Sequence, residues 1–183
     1  ENPPETINPA VPIMIDSLDE KKISKINAEF SSRFGARTRS VTDPGYSSSG
    51  YHSGSTWGLT SMWAAAANFE NGKMVEGLNF LENFSQFLDK NQPGALPEVV
   101  DSENGQSLGC SEQAWSAGMM VHVIDSYLLG IKVDENKIRI DPCEEYSCKR
   151  LKKYVGEGHI DFKVYEGEVT ILDKENIKRE VIT

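Results

Sequence analysis

Residues 51–69, YHSGSTWGLTSMWAAAANF, decide the fold expected for the first two thirds of this chain. From Thr56 to Asn68 apolar residues fall on nearly every face of a helix, with four consecutive alanines at 64–67. A helix that is apolar all round must be buried on most faces. The sequence therefore predicts an inner helix that begins directly after a long loop.

Three further helices are predicted around this one. Residues 72–89 carry apolar side chains at steps of three and four, which is typical of an amphipathic surface helix. Residues 111–129 are again apolar nearly all round, so we expect a second inner helix that Ser111 caps. A first helix is expected from Ser17, whose hydroxyl can also cap. Inner and outer helices thus alternate along the chain, as concentric helical layers would require.

Two long loops, residues 35–55 and 91–109, lead into the two inner helices. Loops of this length without periodicity of their own are uncommon in compact domains and are disproportionately functional. Both enter the array at the same end, because each precedes an inner helix. We expect the groups that converge there to form a pocket.

The last fifty residues change in character. Residues 137–140, 160–164 and 169–171 alternate apolar and polar side chains, which is typical of strands, and Glu166-Gly167 fits a hairpin turn. We therefore expect a mainly α chain followed by a small β-rich appendage. One basic cluster in the appendage is interpreted as a solvated face: Lys149, Arg150, Lys152 and Lys153.

Composition narrows the class of partner. The 183 residues include 19 basic and 28 acidic side chains, which give a net charge of −9. This balance argues against nucleic acid and anionic membranes as partners, because both attract clusters of Lys and Arg. No apolar run approaches the roughly 20 residues of a membrane span. Three cysteines are too few for a disulfide framework and suit a reducing interior, so we expect a cytoplasmic protein.

Several site types are absent from the sequence. Cys143, Cys148 and His159 lack the fourth ligand and the spacing of a zinc site. There is no phosphate-binding glycine-rich loop, no dinucleotide fingerprint and no Gly-x-Ser-x-Gly elbow. We therefore expect no metal and no cofactor.

Two motifs resemble a known family. The second loop and its helix contain GALPEVVDSENGQSLGCSEQAWS at 94–116, and the first loop ends in YHSGSTW at 51–57. Both are similar to elements of the (α/α)6-barrel glycoside hydrolases, in the branch of glucoamylases and of the amylo-alpha-1,6-glucosidase domain of glycogen debranching enzymes. The resemblance covers roughly residues 8–142. It implies that residues 1–131 are the C-terminal portion of an (α/α)6 toroid and that residues 132–183 are the β appendage.

The resemblance implies hydrolysis of α-glucosidic linkages with inversion, in a glycogen-like or oligosaccharide substrate. An inverting enzyme uses two carboxylic acids about 6.5–9.5 Å apart, with a water molecule between the base and the sugar. Glu98 matches the general base of the family. The general acid lies in earlier helices of the family and is expected upstream of Glu1, so we expect the chain to be a fragment or a processed product. The sugar, the linkage and the anomer remain open.

The resemblance also implies a set of substrate-binding residues. Trp115 would provide an apolar platform for a sugar ring at the cleavage site. Other side chains would line the same pocket or hydrogen-bond sugar hydroxyls, and these are Trp57, His52, Tyr51, Gln113, Arg37 and Arg39.

Simpler roles stay open for many of these residues. The tryptophans could equally belong to the core, and the two arginines could tie down the long loop. Glu112 is a rival carboxylate, which the first turn of a helix would explain adequately. His122 is interpreted as a core histidine and Cys110 as a packing residue.

Two inner and two outer helices cannot cover their own inner layer. At about 25 cal/mol per Å² of apolar surface, two uncovered faces would cost an amount comparable to the stability of a whole domain. We therefore expect either an N-terminal barrel half, in the same gene or on a separate chain, or self-association. Two alternatives to an enzyme remain: a non-catalytic sugar-binding or assembly subunit that needs a partner chain, and a helical interaction module.

Overall fold

The computed structural model describes residues 4–16, 19–90, 92–144 and 146–183, and it divides into two compact units, residues 1–121 and 122–183. About 35% of the described residues are helical and 26% lie in strands. The expectation of a mainly α toroid is therefore wrong, and the fold is a mixture of α and β structure. Part of the difference comes from the long loops, whose backbone N–H and C=O groups pair in strands of two residues. Strands this short leave no periodicity in the sequence.

Most of the helices of the chain lie in the N-terminal unit. Two of them continue in a π-helical turn and one in a 3-10 turn. The helices are α1 (Ala10–Asp16), α2 (Glu20–Lys25, then the π turn Ile26–Phe30), α3 (Gly58–Glu70), α4 (Met74–Ser85, then the 3-10 turn Gln86–Asp89) and α5 (Ala114–Val123, then the π turn Ile124–Leu128). The last two residues of α5 and its π turn belong to the C-terminal unit.

The capping of two helices differs from the sequence expectation. Asp19 caps α2, since its Oδ1 accepts from the backbone N–H of Lys22 at 3.0 Å. The expected cap Ser17 lies outside the described residues. Helix α5 begins at Ala114 and not at Ser111, and the N–H of the preceding residue, Gln113, donates to the carbonyl of Leu96 at 2.8 Å.

Burial confirms the predicted characters of α3 and α4. Helix α3 packs against α1 and α4, and Met62 and the four alanines at 64–67 are completely buried. Helix α4 buries Phe80 and Phe84 and exposes Val75, as an amphipathic helix should. Within the described residues, no helix has both the length and the hydropathy that a membrane crossing requires.

The chain covers more of its inner layer than the sequence suggests. Helix α3 is enclosed by other residues of the N-terminal unit, so the expectation that it would be uncovered is wrong. Helix α5 keeps an open apolar face, where Trp115 is 44% exposed and Val121 is 49% exposed.

Two short ladders join the loops of the N-terminal unit. Strands β1 (Ser31–Ser32) and β2 (Gly35–Ala36) form one antiparallel pair, and β3 (Thr56–Trp57) and β4 (Val99–Val100) form the other. In the second pair Trp57 lies opposite Val99. This ladder therefore joins the end of the first long loop to the middle of the second.

The C-terminal unit is built mainly of strands. Its strands are β5 (Ile131–Val133), β6 (Lys137–Ile140), β7 (Cys148–Val155), β8 (Gly158–Tyr165), β9 (Glu168–Glu175) and β10 (Glu180–Ile182). They form the sheets β10-β6-β5 and β7-β8-β9, and β10 runs parallel to β6. The expected turn at Glu166-Gly167 is confirmed: it joins β8 and β9, with both residues at positive φ.

A buried carboxylate organises the C-terminal unit. Asp125 is 4% exposed. Its Oδ1 and Oδ2 accept from Nε and Nη2 of Arg150 at 2.7 and 3.1 Å, and Oδ2 also accepts from Nζ of Lys153 at 2.8 Å. The interpretation of the basic cluster as a solvated face is therefore wrong for Arg150 and Lys153, which point inward.

Candidate active site

The β3–β4 ladder brings the two long loops to one place. The backbone N–H of Glu98 donates to the carbonyl of Cys110 at 2.9 Å, and its carbonyl accepts from the N–H of Gly58 at 3.4 Å. The buried hydroxyl of Ser116 donates to the carbonyl of Pro97 at 2.9 Å. The backbone around Glu98 is thus held by the first residue of α3 and by the start of α5.

The Glu98 carboxylate is half-buried, and its two oxygens have different surroundings. Oε1 accepts a hydrogen bond from the hydroxyl of Tyr51. Oε2 lies 3.4 Å from the backbone N–H of Cys110, which is a long hydrogen bond. One oxygen is therefore firmly held, and the other has only one weak donor among the described residues.

Aromatic side chains form a wall beside this carboxylate. The Trp57 and Trp115 rings are nearly parallel, with centroids 6.3 Å apart. The exposed His52 ring stacks on Trp57 at 5.4 Å, and the Tyr51 ring meets Trp57 edge-on at 4.5 Å. Trp57 is only 7% exposed, whereas Trp115 is 44% exposed. Trp115 therefore has a ring face that is open to solvent, and Trp57 is the buried ring against which Trp115 and His52 stack.

The polar groups of Trp57 and Tyr51 form hydrogen bonds to neighbouring residues. The indole N–H of Trp57 donates to the carbonyl of Tyr51 at 2.9 Å and to Oγ of Ser55 at 3.0 Å. The hydrogen bond to Glu98, together with burial and the negative charge of Glu98, raises the pKa of Tyr51. Tyr51 consequently remains a protonated donor at neutral pH.

A cavity of about 370 Å³ lies on the other side of the wall. Its lining has no charged side chain, and it combines aromatic rings with hydroxyl and amide groups. Such a surface suits a neutral polar ligand. Besides His52 and Trp57, it includes Trp63, Asn8 and Thr6.

Comparison with known proteins decides the family of this chain. The model of one family, amylo-alpha-1,6-glucosidase, matches residues 7–122, which is more than half of the chain. The chain belongs to the amylo-alpha-1,6-glucosidase family. The resemblance seen in the two loop motifs is thus confirmed. A comparison with curated protein sequences finds no match.

Solved structures share the fold at low sequence identity. A sialidase matches with a TM-score of 0.66 and 13% identity, over 97% of this chain and 20% of that chain. The GH63 mannosylglycerate hydrolase from Thermus thermophilus in complex with glucose matches with a TM-score of 0.54 and 13% identity, over 67% of this chain and 30% of that chain. An uncharacterized conserved protein from the same organism matches with a TM-score of 0.53 and 13% identity, over the same fractions. The chain therefore spans less than a third of the length of these structures.

The structure gathers some predicted site residues of this amylo-alpha-1,6-glucosidase family member and separates others. Tyr51 bonds to the Glu98 carboxylate, and His52, Trp57 and Trp115 lie in one aromatic cluster with Tyr51. The Nε2 of Gln113 lies 3.6 Å from Sγ of Cys110, and no described contact joins Gln113 to this aromatic cluster.

The two arginines bind the first long loop. Arg37 donates to the carbonyl of Ser31 and to the hydroxyl of Tyr46. Arg39 donates to the carbonyl of Gly45 at 2.9 Å and lies 3.7 Å from Asp43. Their contacts are those of loop anchors, and the structure does not join them to the Glu98 cluster.

Three simpler interpretations from the sequence are wrong. Glu112 is exposed and precedes α5, so it does not belong to the first turn of a helix. Cys110 is exposed and not a packing residue. His122 is exposed as well, with its Nδ1 3.2 Å from Oγ of Ser126. Among the residues that the structure describes, no group of His, Cys, Asp and Glu could hold a metal ion.

Sequence reasoning missed the residues that support the site from behind. Ser55 and Ser116 form hydrogen bonds, and Gly109 leaves room for the Glu98 carboxylate. Trp63, in α3, lines the cavity. No chemical signature marks these residue types in a sequence. The one available signal was position, because Ser55, Gly109 and Ser116 lie within the two motifs and Trp63 lies six residues after the first.

Gly109→Ala is expected to displace the Glu98 carboxylate and to destabilise the N-terminal unit by about 1–3 kcal/mol. A Cβ at this position would overlap with Oε2 of Glu98 and lie 2.8 Å from Cγ1 of Val99, which is completely buried, so both side chains must shift. If Glu98 takes part in catalysis, kcat of the full-length enzyme falls about 10- to 100-fold. Steady-state kinetics and thermal unfolding measure both effects. Gly118→Ala is the control, because a Cβ there has no neighbour within 4 Å, and an equal loss in both variants would contradict the argument.

Proposed function

We propose that this chain carries the general-base half of an inverting glycoside hydrolase that cleaves α-glucosidic linkages in glycogen-like or oligosaccharide substrates. The observation that carries the proposal is the Glu98 carboxylate, which is fixed on one oxygen and open on the other beside an exposed tryptophan. Membership of the amylo-alpha-1,6-glucosidase family supports a glycosidase.

The proposed base acts through its open oxygen. A water molecule at Oε2 of Glu98 attacks the anomeric carbon of the sugar and gives its proton to the carboxylate. The bond from the anomeric carbon to the leaving oxygen breaks, and that oxygen takes a proton from the general acid. The water oxygen becomes the new hydroxyl on the opposite face, so the configuration inverts.

The Trp115 ring is the proposed platform for the sugar at the cleavage site. Its exposed face lies beside the Glu98 cluster, and an aromatic face packs well against the C–H face of a sugar ring. The polar groups of the cluster would then meet the sugar edge. This arrangement orients the anomeric carbon toward the water at Glu98.

The general acid is proposed to come from outside this chain. An inverting pair stands about 6.5–9.5 Å apart across the sugar, and the family that this chain resembles carries the acid in helices that precede the two motifs. The chain spans 20% to 30% of the structures that it matches. We propose that another part of the same polypeptide or a separate chain supplies the acid, and self-association is the alternative.

Hydrolysis of an α-linked glucooligosaccharide by the full-length enzyme should first release the β-anomer of the new reducing sugar. Proton NMR within the first minutes of reaction distinguishes the two anomeric signals before mutarotation mixes them. Release of the α-anomer would mean a retaining enzyme and would overturn the proposal. A reaction run with acid alone provides the equilibrium mixture for comparison.

A further inference from the structure

Both the side chain and the backbone of Tyr51 form hydrogen bonds. Its hydroxyl donates to Oε1 of Glu98. Its carbonyl accepts from the indole N–H of Trp57 at 2.9 Å and from Oγ of Ser55 at 2.9 Å. These bonds place the residue at the centre of the cluster, where its hydroxyl is already used by the carboxylate.

Neighbouring rings fix the direction of the Tyr51 side chain. The ring meets Trp57 edge-on, with centroids 4.5 Å apart and planes at 75°. It also meets His52 edge-on at 4.8 Å and 82°. Edge-to-face contacts of this kind are favourable and directional. The hydroxyl is consequently aimed at Glu98 by its surroundings.

We propose that Tyr51 is a positioning residue that holds Oε1 of Glu98, so that Oε2 alone faces the water molecule. This inference rests on the proposed function of Glu98 as general base. A carboxylate that is held at one oxygen loses rotational freedom, and its second oxygen keeps one direction. The sequence had suggested that Tyr51 binds the substrate, and the contact with Glu98 assigns it a different role.

Tyr51→Phe in the full-length enzyme tests this role. The change removes one oxygen atom and keeps the ring contacts. We expect kcat to fall about tenfold, because the hydrogen bond that holds Oε1 of Glu98 is lost and Oε2 no longer keeps one direction. KM for an α-linked glucooligosaccharide should change less than about twofold.

Tyr46→Phe is the matched control. Tyr46 lies in the same loop, but its hydroxyl bonds to Oγ of Ser102 at 2.8 Å and to Nε of Arg37 at 3.2 Å. Loss of this hydroxyl should leave kcat within about twofold of the parent enzyme. An equal fall of kcat in both variants would show a general loosening of the loop and would overturn the inference.

Two further outcomes separate this inference from the proposed function. If Tyr51→Phe raises KM and leaves kcat unchanged, the hydroxyl binds the sugar and the positioning role is wrong. If Glu98→Gln abolishes turnover in the same experiment, the proposed function still stands. If Glu98→Gln keeps turnover, the proposed function itself fails, and the positioning role fails with it.

Discussion

Glu98→Gln is expected to lower kcat of the full-length enzyme by about 10²- to 10⁴-fold, while the affinity for the sugar remains largely intact. Glutamine has nearly the same size, and its side-chain oxygen can still accept from the Tyr51 hydroxyl. An amide cannot accept a proton from water at neutral pH. The loss should therefore appear in kcat and not in KM, and steady-state kinetics with inhibitor titration measures both.

Glu112→Gln provides the control for this experiment. Glu112 is an exposed carboxylate between the same loop and α5. We expect its turnover to stay within a few-fold of the parent enzyme. If instead Glu98→Gln stays within a few-fold and Glu112→Gln loses activity, the base has been assigned to the wrong carboxylate. Normal turnover in both variants would favour a sugar-binding subunit.

Asp125→Asn is expected to destabilise the C-terminal unit by about 3 kcal/mol. The substitution keeps the shape but removes the charge that Arg150 and Lys153 share. The side chain of Asp125 is 5% exposed, and those of the two cations are about a quarter exposed, so the like charges face each other with little water. Hydrogen exchange of the β8 amides should become about 10²-fold faster.

The ion pairs of Asp125 with Arg150 and Lys153 also predict how the stability of the C-terminal unit depends on pH. Burial alone would raise the pKa of Asp125, but hydrogen bonds from Arg150 and Lys153 and their charges outweigh burial and lower it. A lowered pKa in the folded state contributes stability above the ordinary pKa of Asp, about 3.9, and this contribution is lost as the pH falls further. The parent protein should therefore lose protection below about pH 4, and Asp125→Asn should lack this step.

Glu180→Gln is the comparison for an exposed ion pair. Lys137 and Glu180 lie 3.6 Å apart, and their side chains are 42% and 65% exposed. Exposed pairs contribute little because water and salt screen them. Exchange in β8 should change by less than about threefold, and an effect as large as that of Asp125→Asn would contradict the argument from burial.

The sequence was sufficient for elements whose pattern depends on their own residues. Helices α3 and α4 follow from the spacing of their apolar side chains, and the turn at Glu166-Gly167 follows from its residue types. The four two-residue strands of the N-terminal unit could not be predicted. A strand of two residues has no periodicity, and its position depends on contacts with a distant loop.

The inward direction of Arg150 and Lys153 shows a second limit. Arg150 pairs with Phe162 and Lys153 pairs with Ile160, so β7 contains one residue more than β8 between these pairs. This bulge, with Lys152 at positive φ, brings two residues of opposite parity to the same face. Strict alternation would have placed them on opposite faces, and nothing in the local sequence marks the bulge.

The two motifs predicted residues that the structure brings close together, but they did not separate loop anchors from the residues near Glu98. Tyr51, His52 and Trp57 occur in one motif, and the β3–β4 ladder joins it to the motif of Glu98. For Arg37 and Arg39 the resemblance implies contact with sugar hydroxyls, while a role in holding the loop is the alternative. Their partners are main-chain carbonyls and a tyrosine of the same loop, which only coordinates reveal.

The β3–β4 ladder has a consequence for the order of folding. Its two strands are separated along the chain by the whole of α3 and α4. Long-range pairings of this kind form slowly, because the entropy of closing the intervening chain must be overcome first. During synthesis, we therefore expect Glu98 to meet Tyr51 and Trp57 only after α3 and α4 have been made, so the candidate site assembles late on a nascent chain.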